Sequence, residues 1–149
     1  MKRDLRIGIP SKGRLADQAT SLLKQAGISF RRQNRSLFAK VKQLPIDVTF
    51  LRTDDIPVLC SEGAIDLGIT GQDLVEESAA ISVQRLRLGI GNCRLAICVP
   101  QHFQFGIAEL DGKNIATSFP NITQRFLAEH NATPHLLKLS GSVEVMIQL

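Results

Sequence analysis

The first residues that could do chemistry form the tetrapeptide Ser11-Lys12-Gly13-Arg14. It follows an apolar, strand-like run, so its backbone N–H groups would face a ligand from the start of a helix. Gly13 lets a ligand approach the backbone, and Lys12 and Arg14 add positive charge, so the segment predicts an anion site. It matches neither the P-loop pattern nor G-x-G-x-x-G. Ser11 as a helix N-cap, followed by a solvated helix end, is the competing interpretation.

A denser cationic cluster, RRQNR, occupies 31–35 and ends in Arg35. Arginine binds phosphate oxygens through paired hydrogen bonds, so such a cluster between two strands can hold phosphates. A solubilising turn explains the same residue types equally well. Residues 1–53 as a whole contain twelve Lys or Arg against three Asp or Glu, a balance that attracts polyanions.

Two further segments place oxygen ligands and small residues at strand ends. Asp54 and Asp55 stand where a helix begins, and two carboxylates there can hold Mg²⁺ or a ribose hydroxyl. Helix capping also needs an acid, so one carboxylate could serve each purpose. Thr70 and Gly71 follow another strand, at the position where open α/β sheets bind ligands. An ordinary tight turn is the competing interpretation for that pair.

The elements that must position these segments follow from hydrophobic periodicity. Strands are predicted at 4–10, in two stretches of 28–42, and at 46–52, 65–69, 81–88, 94–99, 113–117 and 135–139. Helices are predicted from Ser11 to Ala26, from 54 to 63, from 72 to about 78, and at 120–130 with Ser118 as cap. Strands that alternate with helices are typical of an open α/β sheet.

Composition excludes several classes of protein. The chain has 149 residues, 44% apolar and 21% charged, which is enough to bury a core and argues against disordered or fibrous structure. No apolar run reaches the roughly 18 residues of a membrane-spanning helix. Three cysteines without a C-x-x-C motif indicate free, buried thiols in the cytoplasm. Tyr and Trp are absent, so a nucleic-acid surface built on base stacking is poorly supported.

Taken in order, these segments resemble ATP phosphoribosyltransferase, the enzyme of the first step of histidine biosynthesis. The resemblance runs nearly end to end and is carried by the following stretches: RIGIPSKGRL at 6–15, NRSLFAKV at 34–41, LPIDVTFLRTDDIP at 44–57, GAIDLGITGQDLVEE at 63–77, CRLAICVP at 93–100, NIATSFPNITQRFLAE at 114–129 and SGSVEV at 140–145. A single match would be weak, whereas the ordered set is specific.

The resemblance implies an α/β fold of two lobes, similar to type II periplasmic binding proteins, with lobes at 1–85 and 86–149 and the active site between them. It implies transfer of the phosphoribosyl group of phosphoribosyl pyrophosphate (PRPP) to N1 of the adenine of ATP. Pyrophosphate leaves with the help of Mg²⁺. Arg14 and Arg35 match the family's catalytic arginines, which we expect to stabilise charge on the departing pyrophosphate. The residues expected to line the same cleft are Lys12, Gly13, Asp54, Asp55, Thr70 and Gly71.

The resemblance also bears on partners and completeness. Family members form dimers or larger homo-oligomers, and the short form works with a regulatory subunit resembling histidyl-tRNA synthetase. After SGSVEV the family continues into a segment that binds the PRPP ribose phosphate, whereas this sequence ends on residues 146–149. We therefore expect an incomplete second lobe and a chain that alone binds PRPP poorly or is inactive. A noncatalytic module that binds nucleotides or small anions is the alternative.

Overall fold

The computed structural model describes residues 3–34, 36–102 and 106–147. The chain divides into two compact units, Met1–Cys93 and Arg94–Leu149. The architecture is mixed α/β, as the sequence predicts. The functional lobes expected at 1–85 and 86–149 stay a prediction. Among the described residues, no helix combines the length and the apolar character that crossing a bilayer requires.

The first unit is built on one four-stranded sheet with the strand order β2-β3-β1-β4. Its elements in chain order are β1 (Leu5–Pro10), α1 (Arg14–Gln25), β2 (Phe38–Lys40), β3 (Ile46–Leu51), α2 (Asp55–Ser61), β4 (Leu67–Gly68) and α3 (Gln72–Ser78). β1 runs parallel to both β3 and β4, and β2 runs antiparallel to β3. The strands predicted at 4–10 and 46–52 are confirmed, while the strand predicted at 65–69 is shorter than expected.

The core of the first unit lies between this sheet and α1. The buried residues Ile7 and Ile9 of β1 pair with Val48 and Phe50 of β3 at alternate positions, so the four side chains lie on the same face of the sheet. The apolar stripe predicted for α1 packs on the same strands. The buried apolar residues that share this core are Ile7, Ile9, Ala19, Leu23, Ala39, Val41, Val48 and Phe50.

The first helix begins at Arg14, so the prediction that Ser11 caps it is wrong. Gly13 occupies the N-cap position with a φ of 85°, a left-handed conformation that favours glycine. The C=O of Gly13 accepts the N–H of Ala16 at 2.9 Å and closes the first turn. Ser11 instead donates its N–H to the C=O of Leu51 at 2.7 Å, which extends the pairing of β1 with β3.

The two strands predicted within 28–42 are largely absent. Of the described residues there, only β2 is a strand, and Phe30 forms an isolated antiparallel bridge with Val41. The side chain of Arg32 donates from Nε to the C=O of Ser36 at 2.9 Å, a bond that a regular strand pair would leave to backbone groups. The connection is therefore a loop held by a side chain.

The second unit contains a parallel pair of strands joined by a helix. Its elements are a 3₁₀ turn (Ile107–Leu110), β5 (Asn114–Thr117), α4 (Pro120–Glu129), β6 (His135–Lys138) and a second 3₁₀ turn (Val143–Ile147). Ser118 is not the cap of α4, which is preceded by Phe119. The N-cap residue Phe119 makes no side-chain capping bond, and its own N–H donates to the hydroxyl of Thr117 at 3.0 Å. The core of this unit consists of Leu110, Leu127 and Ala132.

The strands predicted at 81–88 and 94–99 are wrong. Both stretches lack regular secondary structure, and Ile81, Val83 and Leu95 are exposed. Alternating apolar residues favour a strand, but a strand also needs a neighbour for its backbone N–H and C=O groups. Neither stretch pairs with any of the strands in the described residues.

The prediction of buried thiols is also wrong for two of the three cysteines. Cys93 and Cys98 are exposed, and Cys60 is half-buried. Burial raises the pKa of the Cys60 thiol, and the charge of Asp66 raises it further. Cys60 therefore stays a protonated thiol near neutral pH and packs as a small apolar residue.

Asp66 ties the amino-terminal end of β1 to the start of β4. It accepts the backbone N–H of Arg6 at 2.8 Å and the Arg3 guanidinium at 2.6 Å, while its own N–H donates to the C=O of Arg6 at 2.9 Å. The hydrogen bond from the Arg6 backbone lowers the pKa of the Asp66 carboxyl; partial burial opposes this, and both arginines add to the lowering. Asp66 therefore has a structural role at the sheet edge where β1 begins.

Replacing Asp66 with asparagine is expected to lower the unfolding temperature at neutral pH. Because the folded-state pKa lies below the unfolded value of about 3.9, the carboxylate stabilises the fold above that pH. This stabilisation disappears as pH falls through the folded-state pKa. Thermal unfolding followed by circular dichroism from pH 7 to pH 2 should show the wild type and Asp66→Asn converging at the acid end. A constant difference between the two across this range would contradict the role of ionised Asp66.

Candidate functional site

Three loops leave the sheet of the first unit at one edge. Because β1, β3 and β4 are parallel, their carboxyl ends meet there, and the register places Pro10 opposite Leu51. Open α/β sheets bind ligands at this edge. The loops that begin side by side are 11–13, 52–54 and 69–71. The sequence-predicted site segments 11–14, 54–55 and 70–71 are thus brought to a common edge.

The first loop presents two cations that nothing in the described chain neutralises. Lys12 and Arg14 are exposed, and neither has a hydrogen-bond or ion-pair partner among the described residues. Gly13 between them adopts its left-handed conformation with open space around the position of a Cβ atom. Arg14 is the first residue of α1, so its side chain starts at the positive end of the helix dipole. The loop can therefore receive an anion without first breaking an internal ion pair.

The second and third loops are joined by one hydrogen bond. The hydroxyl of Thr70 donates to the C=O of Thr53 at 2.9 Å, and its oxygen can still accept a bond from a ligand. Gly71 is the N-cap residue of α3, and its C=O accepts the N–H of Leu74 at 3.2 Å. The carboxylate of Asp73 folds back over Gly71, close to where a Cβ atom would lie. The predicted strand end and helix start on either side of Thr70 and Gly71 are therefore confirmed, Thr70 contacts the second loop, and ligand binding by this pair stays a prediction.

Asp54 and Asp55 stand at the start of α2, as predicted. Asp54 precedes the helix and Asp55 is its first residue, but Asp54 makes no capping hydrogen bond through its side chain. Both carboxylates are exposed and have no partner among the described residues. The capping interpretation does not account for Asp54, so its carboxylate is available to a ligand.

Arg35 lies outside the described residues, so its position relative to Arg14 stays a prediction. Arg32, a neighbouring member of the predicted cationic cluster at 31–35, contacts the first loop. The guanidinium of Arg32 donates to the C=O of Ser11 at 2.8 Å and lies 4.2 Å from the centre of the Phe50 ring. The signal for this contact in the sequence is only the density of arginines at 31–35, which does not say which one faces the sheet.

A pocket of about 350 Å³ opens beside these contacts, between α1 and the segment 30–32. We call it the α1 groove. Its lining residues are Pro10, Ser11, Lys12, Ala16, Asp17, Thr20, Lys24, Phe30, Arg31, Arg32 and Phe50. Sequence reasoning missed Lys24 as a site residue and included Arg31 only as a member of the cationic cluster at 31–35. The available signal was that Ala16, Thr20 and Lys24 share one face of α1 by their spacing of four.

Comparison with known proteins identifies the family. The family model described as "ATP phosphoribosyltransferase" matches residues 52–149, which is more than half of the chain. The chain belongs to the ATP phosphoribosyltransferase family. The resemblance read from the sequence motifs is thereby confirmed.

Individual ATP phosphoribosyltransferases match nearly the whole chain. One from Rhodopirellula baltica is 64% identical over 97% of this chain and 49% of its own length. Another, from Stenotrophomonas maltophilia, is 43% identical over 97% of this chain and 51% of its own length. The chain therefore spans about half the length of the curated relatives it matches.

A solved structure supports the same relationship. A chain in the ATP phosphoribosyl transferase (HisG:HisZ) complex from Thermotoga maritima matches with a TM-score of 0.68 and 28% identity. The match covers 96% of this chain and 68% of that chain. The similarity to this ATP phosphoribosyltransferase therefore includes the arrangement of strands and helices as well as the sequence.

Proposed function

We propose that this chain forms part of an ATP phosphoribosyltransferase that transfers the phosphoribosyl group of PRPP to N1 of the adenine of ATP. The observation that carries the proposal is the 64% identity to a named ATP phosphoribosyltransferase over 97% of the chain. The loops at the carboxyl edge support it, because they offer unneutralised cations to two substrates that both carry several phosphates.

The reaction needs positioning and charge stabilisation, and no nucleophilic side chain. Adenine N1 forms a bond to C1′ of PRPP while the bond from C1′ to pyrophosphate breaks, and the electron pair leaves on the pyrophosphate oxygen. Arg14 is proposed to stabilise that developing charge, and Arg35 to do the same from the second cationic segment. Lys12 and the N–H groups around Gly13 would bind neighbouring phosphate oxygens.

Mg²⁺ fits this chain as part of the substrates. Within the described residues, no group of three or more His, Cys, Asp or Glu could hold a metal ion. Polyphosphates bring Mg²⁺ on their own oxygens, where it neutralises charge on the leaving group. Asp54 and Asp55 are both exposed at the carboxyl edge of the sheet. Their carboxylates would contact the Mg²⁺–polyphosphate complex from its outer side or accept hydrogen bonds from the ribose hydroxyls.

The finer features of the family are part of the same proposal. They include the two-lobe fold similar to type II periplasmic binding proteins, lobes at 1–85 and 86–149, homo-oligomers and a cytoplasmic location. The structural neighbour from Thermotoga maritima is titled as a HisG:HisZ complex. This supports a regulatory partner for the present chain, of the kind that the short form of the family uses.

The test uses a chimera, because the chain spans about half of its relatives. Its 149 residues are joined to the remaining half of the Rhodopirellula baltica relative and incubated with PRPP, ATP and Mg²⁺. We expect equal amounts of pyrophosphate and of an adenine-N1 phosphoribosyl product, identified by mass spectrometry. The 149-residue chain alone is expected to bind ATP in calorimetry with far less turnover. ATP binding by a folded chimera that forms no product would favour a noncatalytic binding module and overturn the proposal.

A further inference from the structure

We propose that the α1 groove binds an extended polyphosphate chain, with Lys24 and Arg31 as residues that recognise it. The inference deepens the proposed function, on which it rests for the source of the polyphosphate, namely the triphosphate of ATP. It assigns a role to Lys24, which no motif includes, and a specific one to Arg31, which the sequence places only within the cationic cluster at 31–35.

The charges of the groove carry the first step of the argument. Lys12, Lys24, Arg31 and Arg32 line it, and Asp17 is the one acid among its lining residues. Lys12, Lys24 and Arg31 are exposed and have no hydrogen-bond or ion-pair partner in the described part of the chain. Like charges that share a concave surface raise its potential and attract anions. The groove therefore favours a ligand with several negative charges.

The length of the groove carries the second step. Ala16, Thr20 and Lys24 lie on one face of α1, and eight residues of helix span about 12 Å. Lys12 lies at one end of this face, before the helix, and Lys24 lies at the other end. A single phosphate cannot contact both ends at once, whereas a chain of phosphates can follow the helix. A volume of about 350 Å³ is adequate for a small, elongated ligand.

The residues at the floor of the groove favour a phosphate chain over a nucleotide base as the ligand. The Phe50 ring is 4% exposed, and the Arg32 guanidinium lies over it at 4.2 Å. This ring is therefore already covered and offers no face to an adenine, and the half-buried Phe30 ring packs beside it with 6.0 Å between the ring centres. Arg32 is held in place by its bonds to the C=O groups of Ser11 and Ser36, and its remaining N–H groups stay available to an anion. The chemistry on offer is cationic hydrogen-bond donors, which suit phosphate oxygens.

The experiment is calorimetric titration of the 149-residue chain at low salt with sodium tripolyphosphate, orthophosphate, ATP and PRPP. Tripolyphosphate and ATP are expected to bind more tightly than orthophosphate. Lys24→Gln and Arg31→Gln are each expected to weaken tripolyphosphate binding about tenfold, the loss of one charged hydrogen bond. The matched control is Lys42→Gln, an exposed lysine without a partner among the described residues, in the β2–β3 turn at the other end of the sheet.

Each outcome bears on the groove separately from the proposed function. The proposal that the α1 groove binds polyphosphate would be overturned by either of two results. One is unchanged tripolyphosphate affinity in both Lys24→Gln and Arg31→Gln, and the other is an equal loss of affinity in Lys42→Gln. If the chimera still forms product in that case, the proposed function stands without it. If tripolyphosphate binding depends on the groove but the chimera forms no product, the polyphosphate site stands and the proposed transferase activity is overturned. Variant effects confined to PRPP, with ATP and tripolyphosphate unaffected, would also overturn the assignment.

Discussion

The chimera that carries Arg14→Gln is expected to show a kcat about 100- to 1,000-fold below that of the unmodified chimera. The reason is that the departing pyrophosphate gains charge in the transition state, and removing one preorganised donor from such a site costs about this much. Arg14 is placed for the role because it begins α1 at the carboxyl edge and is not neutralised by a described residue. Initial rates of pyrophosphate release at saturating ATP and PRPP measure the effect.

The matched control for Arg14→Gln is Lys42→Gln, which removes the same charge from an exposed residue in the β2–β3 turn, at the opposite end of the sheet from the three loops. It is expected to leave kcat within about twofold, since an exposed charge distant from the reacting atoms is screened by solvent. Circular dichroism should show both variants folded, because neither side chain is buried. A rise in KM with kcat unchanged would contradict the proposal, since it would mean that Arg14 binds substrate and transition state equally.

The carboxyl edge of the sheet could be predicted from the sequence because the information for it is local. The apolar runs that became β1 and β3 are each followed by residues that end a strand and start a helix, Gly13 in one case and Asp54 in the other. Parallel strands bring their carboxyl ends to one edge of the sheet, whatever path the connections between them take. Family membership could be predicted for the same reason, since it rests on short ordered motifs.

The α1 groove could not be predicted, because it depends on contacts between distant residues. Arg31 and Arg32 are adjacent in a cluster of like residues, and both line the groove, where Arg32 contacts Phe50 and Ser11, residues far from it in the sequence. Lys24 sits on the polar side of an amphipathic helix, where a lysine usually meets solvent. Nothing local distinguishes a solvated lysine from one that lines a pocket.

The strands at 81–88 and 94–99 were predicted wrongly for a related reason. Alternating apolar residues indicate that a stretch could bury one face if a neighbouring strand paired with it. Among the described residues, no strand lies beside either stretch. The helix caps failed differently. Ser11 and Ser118 have the right side chain, but the N-cap positions are occupied by Gly13 and Phe119, and neither helix start has a side-chain capping bond.

The largest stability effect is expected at Ile56, which anchors α2 and thereby the position of Asp54 and Asp55. Ile56 is fully buried, and its Cγ2 methyl meets the backbone of Gly68 in β4. Ile56→Ala is expected to lower the free energy of unfolding by about 2–5 kcal/mol, as truncations of buried isoleucine do. Urea unfolding followed by circular dichroism measures it. Val58→Ala on the same helix is the control, because Val58 is 45% exposed and should cost far less.

Replacing Gly68 tests the contact between α2 and β4 from the β4 side. A Cβ atom there would collide with Ile56 and lie 3.0 Å from Cys60 Sγ, so Gly68→Ala is expected to cost about 1–3 kcal/mol by overpacking. In the double variant with Ile56→Ala, the new methyl enters the space that the isoleucine leaves. The double variant should therefore be less destabilised than the two single losses together. Strict additivity would contradict this, because it would mean that α2 does not rest on the backbone of β4 at Gly68.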